Sequence, residues 1–60
     1  MKKENIKIGD LFEFNGNFVI VTDNNRGVEV ADVEFDECNE PQAIKGTENY
    51  LTDYEIKNLK

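Results

Sequence analysis

The sequence predicts a small, mostly β-stranded domain that ends in a short helical turn. Three observations lead to this prediction: the chain has 60 residues, Asn15-Gly16 separates two apolar segments, and the segment 52–55 has the pattern of a helix start. A chain of this length buries only about 60% of the surface that it exposes when unfolded, so its core must be small. We therefore interpret residues 1–60 as one domain, in which the polar residues 1–5 are expected to fray.

The segment 9–22, with the sequence GDLFEFNGNFVIVT, predicts a β-hairpin. An Asn-Gly pair readily adopts the two positive φ angles of a two-residue type I′ turn. We expect strands over 10–14 and 17–23, with a bend or bulge at Gly9. In the extended lead-in, Ile6 and Ile8 should share one face.

The register of a two-residue hairpin decides which side chains share a face of the sheet. The better core face is predicted to hold Phe12, Phe14, Val19 and Val21. The opposite face carries Glu13 and three apolar side chains, Leu11, Phe18 and Ile20. This second face is too apolar to be simply solvated, so it needs a cover from the chain or from a partner.

A third strand is predicted from Val28 onward, after a polar turn at 23–27. Its apolar positions change face between Val30 and Ala31, which indicates a β-bulge or a bend between sheets. Bent strands of this kind close small barrels, and we expect a five-stranded barrel. The remaining strands are predicted over 42–45, which Pro41 confines to an edge, and over 49–51.

Residues 52–59 should form the terminal helical turn. Thr52 and Glu55 have the spacing of a capping box, in which each side chain bonds to the other residue's backbone N–H. Leu51 and Ile56 occupy the positions of a hydrophobic staple. We expect this helix to cover the second face of the hairpin.

The residue inventory excludes most catalytic and metal chemistry. The chain contains no histidine, no serine and a single cysteine, Cys38, so no nucleophilic triad or common zinc ligand set can be assembled. We therefore expect a protein that is not an enzyme and has no cofactor or metal. A lone thiol is typical of a reducing cytoplasm, and no apolar run approaches the roughly 20 residues that cross a bilayer. These observations predict a cytoplasmic protein without a membrane partner.

The net charge of −6 opposes binding to phosphate backbones, so a nucleic-acid partner is not expected. Five carboxylates fall within nine residues: Asp32, Glu34, Asp36, Glu37 and Glu40. They can be a solvated surface, a patch for a basic partner, a mimic of nucleic-acid phosphate or a weak divalent-cation site. An EF-hand is excluded, because the spacing would place Glu37 and Ala43 where that loop needs Gly and Glu.

The order of a Gly-Asp lead-in, a hairpin, a bent third strand, short strands and a helical turn resembles the small Src-homology-3-like barrels. The segment 9–22 is similar to the opening hairpin of short hypothetical proteins from phages and mobile elements of low-GC bacteria. Related KOW and Tudor-like barrels bind nucleic acid or protein. The basic loop residues that would support nucleic-acid binding are not matched in this sequence, because its lysines and its arginine are dispersed.

These observations together predict a non-enzymatic protein-binding module, phage or mobile-element encoded, that occupies a surface on a host protein. The candidate contact residues are Leu11, Phe18, Ile20, Asp32, Glu34, Asp36, Glu37 and Glu40. The chain is expected to be a monomer, or a homodimer formed through unpaired strand edges. The alternatives are a nucleic-acid-binding barrel of KOW or Tudor type and an acidic nucleic-acid mimic that blocks a basic groove.

Overall fold

The hairpin around Asn15-Gly16 begins an antiparallel sheet in the computed structural model of the protein, which describes residues 5–59. The sheet is followed by one short helix. The elements are β1 (Leu11–Phe14), β2 (Asn17–Asp23), β3 (Glu29–Phe35), β4 (Pro41–Ala43), β5 (Asn49–Tyr50) and α1 (Asp53–Lys57). The mostly β fold predicted from the sequence is confirmed. The fraying was predicted for residues 1–5, of which residues 1–4 lie outside the described residues.

The hairpin has the predicted turn and register. Asn15 and Gly16 have φ angles of 52° and 82°, as a type I′ turn requires. The Gly9 N–H donates to the Val21 carbonyl at 2.8 Å, and the Val21 N–H donates to the Asp10 carbonyl at 2.9 Å. Two residues thus oppose one, and Gly9 has φ 94°, so the bend or bulge expected at Gly9 is a bulge.

The lead-in before this bulge is a turn and not an extended segment. The Asp10 N–H donates to the Lys7 carbonyl at 3.1 Å, and the Asp10 carboxylate accepts from the Lys7 N–H at 2.9 Å. Because the chain turns here, Ile6 is buried at 2% exposure while Ile8 is 60% exposed. The prediction that these two side chains share a face was therefore wrong.

The central strand β3 pairs with β2 along one edge and with β4 and β5 along the other. The strands β4 and β5 form one interrupted strand, from which residues 44–48 loop out. Asp32 lies opposite this interruption. Its carbonyl accepts from the Ile44 N–H, and its N–H donates to the Thr47 hydroxyl oxygen, both at 2.9 Å. The Thr47 side chain therefore replaces the missing backbone partner.

The bulge predicted in the third strand lies in β2 instead, where the pairing shifts between Val21 and Asp23. The pairing with β2 does not shift between Val30 and Ala31. Both side chains are buried, on opposite faces of the strand. Within residues 5–59, no pairing joins β1 to β4, so the predicted closed barrel does not form.

The core lies between one face of the sheet, here called the inner face, and α1. The buried apolar cluster contains Ile6, Phe12, Val19, Val21, Val28, Val30, Leu51, Ile56 and Leu59, with Phe14 packed against it. The hairpin core face predicted from the sequence is thus confirmed, with Phe14 only partly buried.

The helix begins as predicted. The Thr52 side chain accepts from the Glu55 N–H at 3.2 Å, and the Glu55 carboxylate accepts from the Thr52 N–H at 2.9 Å. Leu51 and Ile56, the two members of the staple, are both buried. They anchor α1 to the inner face, so the prediction that the helix covers the second face of the hairpin was wrong.

Candidate functional site

The face of the sheet opposite α1 is apolar across three strands. Leu11 pairs with Ile20, and Ile20 pairs with Ala31, so these side chains form one row on the same side. Phe18 has the same parity as Ile20, and Val33 and Phe35 have the same parity as Ala31. We call this surface the outer face, made of Leu11, Phe18, Ile20, Ala31, Val33 and Phe35.

Two aromatic rings connect neighbouring strands on the outer face. Phe18 of β2 and Phe35 of β3 contact edge to face, with ring centroids 6.0 Å apart and planes at 89°. Such a pair is worth roughly 0.5–1.5 kcal/mol beyond the area it buries, which holds both rings in place. They remain 48% and 45% exposed, and Leu11 is 39% exposed.

An open groove of about 430 Å³ lies beside the hairpin turn, where the pairing of β2 with β3 ends. Phe18, Val33 and Ile44 provide its apolar lining, and the carboxylate residue Asp32 also borders it. The groove therefore combines aromatic and aliphatic surface with one negative charge.

The structure divides the five clustered carboxylate residues among different surroundings. Asp32 and Glu34 have the opposite parity to Val33, so they lie on the inner side of β3, beyond the part of that face covered by α1. Glu37 and Glu40 are exposed in the loop between β3 and β4. The cluster in sequence is therefore not one surface in space.

Asp36 orders the loop between β3 and β4. One carboxylate oxygen accepts from the backbone N–H groups of Cys38 at 2.9 Å and Glu40 at 3.0 Å. The other accepts from the Gln42 side-chain amide at 2.9 Å. A carboxylate used in this way stabilises the loop conformation and has less capacity left for a partner.

Positive charge is absent from the sheet. None of the five strands contains Lys or Arg, whereas β1, β2 and β3 contain Glu13, Asp23, Glu29, Asp32 and Glu34. The cations within residues 5–59 are Lys7, Arg26, Lys45 and Lys57, which lie in turns or in α1. The sheet therefore presents no basic surface to a phosphate backbone.

Within the part of the chain that the structure describes, no three Asp, Glu or Cys side chains lie close enough together to hold a metal ion. Cys38 is an exposed free thiol in the β3–β4 loop. No helix among residues 5–59 is long and apolar enough to cross a membrane.

The structure brings together three of the candidate contact residues, Leu11, Phe18 and Ile20, and adds three more from β3. Ala31, Val33 and Phe35 were not singled out as candidates from the sequence. Their shared parity was the available signal, because a run of alternating apolar residues beyond the core indicates a second apolar face.

No protein-family model, curated protein or solved structure matches the chain.

Proposed function

We propose that the protein is a non-enzymatic protein-binding module that uses the outer face to occupy a surface of a partner protein. The observation that carries this proposal is that Leu11, Phe18 and Phe35 of the outer face stay exposed among the described residues, while the helix α1 packs on the inner face. Leu11, Phe18 and Phe35 would each gain by being removed from water.

The size of the outer face agrees with the centre of an interface rather than with a whole one. With aromatic side chains of roughly 200 Å², the exposed parts of Phe18 and Phe35 together offer about 190 Å² of apolar surface, and Leu11 adds to it. A standard interface buries about 800 Å² on each partner, so polar residues around the outer face must supply the rest.

Acidic residues border the outer face. Glu13 is paired with Phe18 on the same face. Glu37 follows β3, which ends at Phe35, and Glu40 precedes β4, which begins at Pro41. A partner with an apolar centre and a basic surround would complement this arrangement.

The resemblance of the hairpin to proteins of phages and mobile elements extends the proposal to a host protein as the partner. An open sheet with a terminal helical turn remains compatible with a distant relation to Src-homology-3-like domains. An acidic mimic of nucleic acid has less support, since Asp36 is engaged in its own loop and Asp32 and Glu34 lie on the other side of β3.

The proposal is tested by comparing Phe18→Asp with Ile8→Asp, which makes the same change at an exposed apolar residue outside the outer face. Both variants are first checked for folding by circular dichroism. The immobilised proteins are then exposed to a lysate of a low-GC bacterium. We expect a stoichiometric partner that is retained by the wild type and by Ile8→Asp and lost with Phe18→Asp. Equal retention by all three proteins, or no partner at all, would contradict the proposal.

A further inference from the structure

The outward edge of β1 carries backbone groups that no other strand of the described residues uses. Phe14 and Asn17 flank the two-residue turn and bond to each other, and bonded and non-bonded pairs alternate along an antiparallel ladder. The N–H and C=O groups of Leu11 and Glu13 therefore point away from β2. The bond from the Val21 N–H to the Asp10 carbonyl continues the same alternation. Among residues 5–59, no strand pairs with this edge.

A groove of about 470 Å³ lies beside this edge. It is lined by Glu13 and Phe14 of β1, by the Asn15-Gly16 turn, and by Tyr54, Glu55 and Asn58 at α1. No β2 residue lines it, and Glu13 is the lining residue whose backbone groups point away from β2. The groove therefore adjoins the unpaired edge at Glu13 and is bordered by α1.

The side chains along the groove suit a cationic group. Tyr54 is 76% exposed, so its ring face can receive an ammonium or guanidinium group. The exposed carboxylate of Glu13 can form a charge-assisted hydrogen bond with the same group. The Glu55 carboxylate adds negative charge, although one of its oxygens accepts from the Thr52 N–H.

The negative charge of the β1 edge also disfavours pairing with β1 of a second copy of the chain. β1 has neither the Lys nor the Pro that commonly protects an edge strand, and its charged residue is Glu13. An antiparallel pairing of two β1 strands centred on Glu13 would place like charges directly opposite each other, which is unfavourable. A basic strand meets no such repulsion.

We propose that β1 and the adjacent groove bind an extended basic segment of a partner polypeptide, which adds a strand to the sheet and places a Lys or Arg side chain between Glu13 and Tyr54. Backbone hydrogen bonds to Leu11 and Glu13 supply affinity, and the groove selects the cationic side chain. This site shares Glu13 with the border of the outer face, but it uses none of the apolar residues Phe18, Ile20 and Phe35 and does not require them to bind anything.

The test uses a synthetic peptide of about nine residues, the length of a long strand, in which Lys and Val alternate. It is titrated into the isotope-labelled protein, and amide hydrogen exchange is followed by NMR. We expect exchange at Leu11 and Glu13 to slow by about tenfold or more at saturation, because their N–H groups gain acceptors. Phe12 and Phe14, whose N–H groups already bond to β2, should change little. A matched peptide with Glu in place of Lys should not bind.

Substitutions separate this site from general attraction between opposite charges. Glu13→Gln should weaken binding of the Lys peptide about two- to fivefold, as expected for one partly exposed ion pair. Glu37→Gln, with the same change of charge in a distant loop, and Phe35→Ser on the outer face should leave it unchanged. The proposal is overturned by unchanged exchange at Leu11 and Glu13, by equal binding of the Glu peptide, or by equal weakening in either control variant.

Discussion

At the scale of single residues, Asp36 illustrates that a carboxylate within an acidic run can stabilise the loop in which it lies. The sequence around it suggests a charged surface, because acidic residues stand on both sides. In the structure its two oxygens accept from two backbone N–H groups and from Gln42. These bonds connect the end of β3 to the start of β4, so Asp36 contributes to the β3–β4 hairpin.

We expect Asp36→Ala to lower the free energy of unfolding by about 1–2 kcal/mol, because two backbone donors lose their acceptor. Glu37→Ala removes the same charge from the same loop and should change stability by less than about 0.5 kcal/mol. Urea denaturation followed by circular dichroism measures both. Equal destabilisation by the two variants would show that charge, and not the hydrogen bonds of Asp36, is responsible.

At the scale of the elements, the turn and capping signals gave correct predictions, whereas the prediction of which face the helix covers was wrong. The register of β1 against β2 follows from Asn15-Gly16 alone, and the start of α1 follows from Thr52 and Glu55. The face that α1 covers depends on how residues 44–51 return along β3, and no local pattern specifies that path. The sequence therefore identified two apolar faces, but the expectation that the helix covers the second of them was wrong.

The candidate site, like the fold, was predicted from the sequence only in part. Leu11, Phe18 and Ile20 were identified from the hairpin register, and their exposure depended on the position of α1. The acidic residues could not be placed from spacing alone, because neighbours in a strand alternate between faces and Asp36 turns inward to its loop. Their proximity in sequence overstated their proximity in space.

Two valines of β3 provide a direct test of the assignment of faces. Val30 belongs to the buried core, whereas Val33 is half-buried on the outer face. We expect Val30→Ala to lower the free energy of unfolding by about 2 kcal/mol and Val33→Ala by less than about 1 kcal/mol, in proportion to the apolar surface each buries. Thermal or urea unfolding measures the difference. A larger effect at Val33 would mean that the outer face is covered.

At the scale of the whole molecule, the net charge of −6 acts against the self-association that an exposed apolar face favours. Two copies that meet through their outer faces would bring Glu13, Glu37 and Glu40 of each close to the other. Salt screens this repulsion, since the Debye length falls from about 30 Å at 0.01 M to about 10 Å at 0.1 M salt.

We therefore expect a monomer at low ionic strength and weak association as salt is raised, as measured by sedimentation equilibrium. Phe35→Ser should reduce the association at high salt, because it removes apolar surface without changing the charge. A dimer that is already stable at low salt would contradict this expectation and would point to an interface other than the outer face.

The pairing of the strands also affects how the chain folds. Three of the four pairings, β1 with β2, β2 with β3 and β3 with β4, join neighbours along the chain. Loops that connect sequence neighbours cost little entropy to close, and proteins dominated by local contacts fold quickly. Only β5 pairs with a strand, β3, that is not its neighbour along the chain, and α1 follows β5 directly. The sheet can therefore assemble by successive hairpins, so that the inner face is exposed only until the last segment of the chain docks.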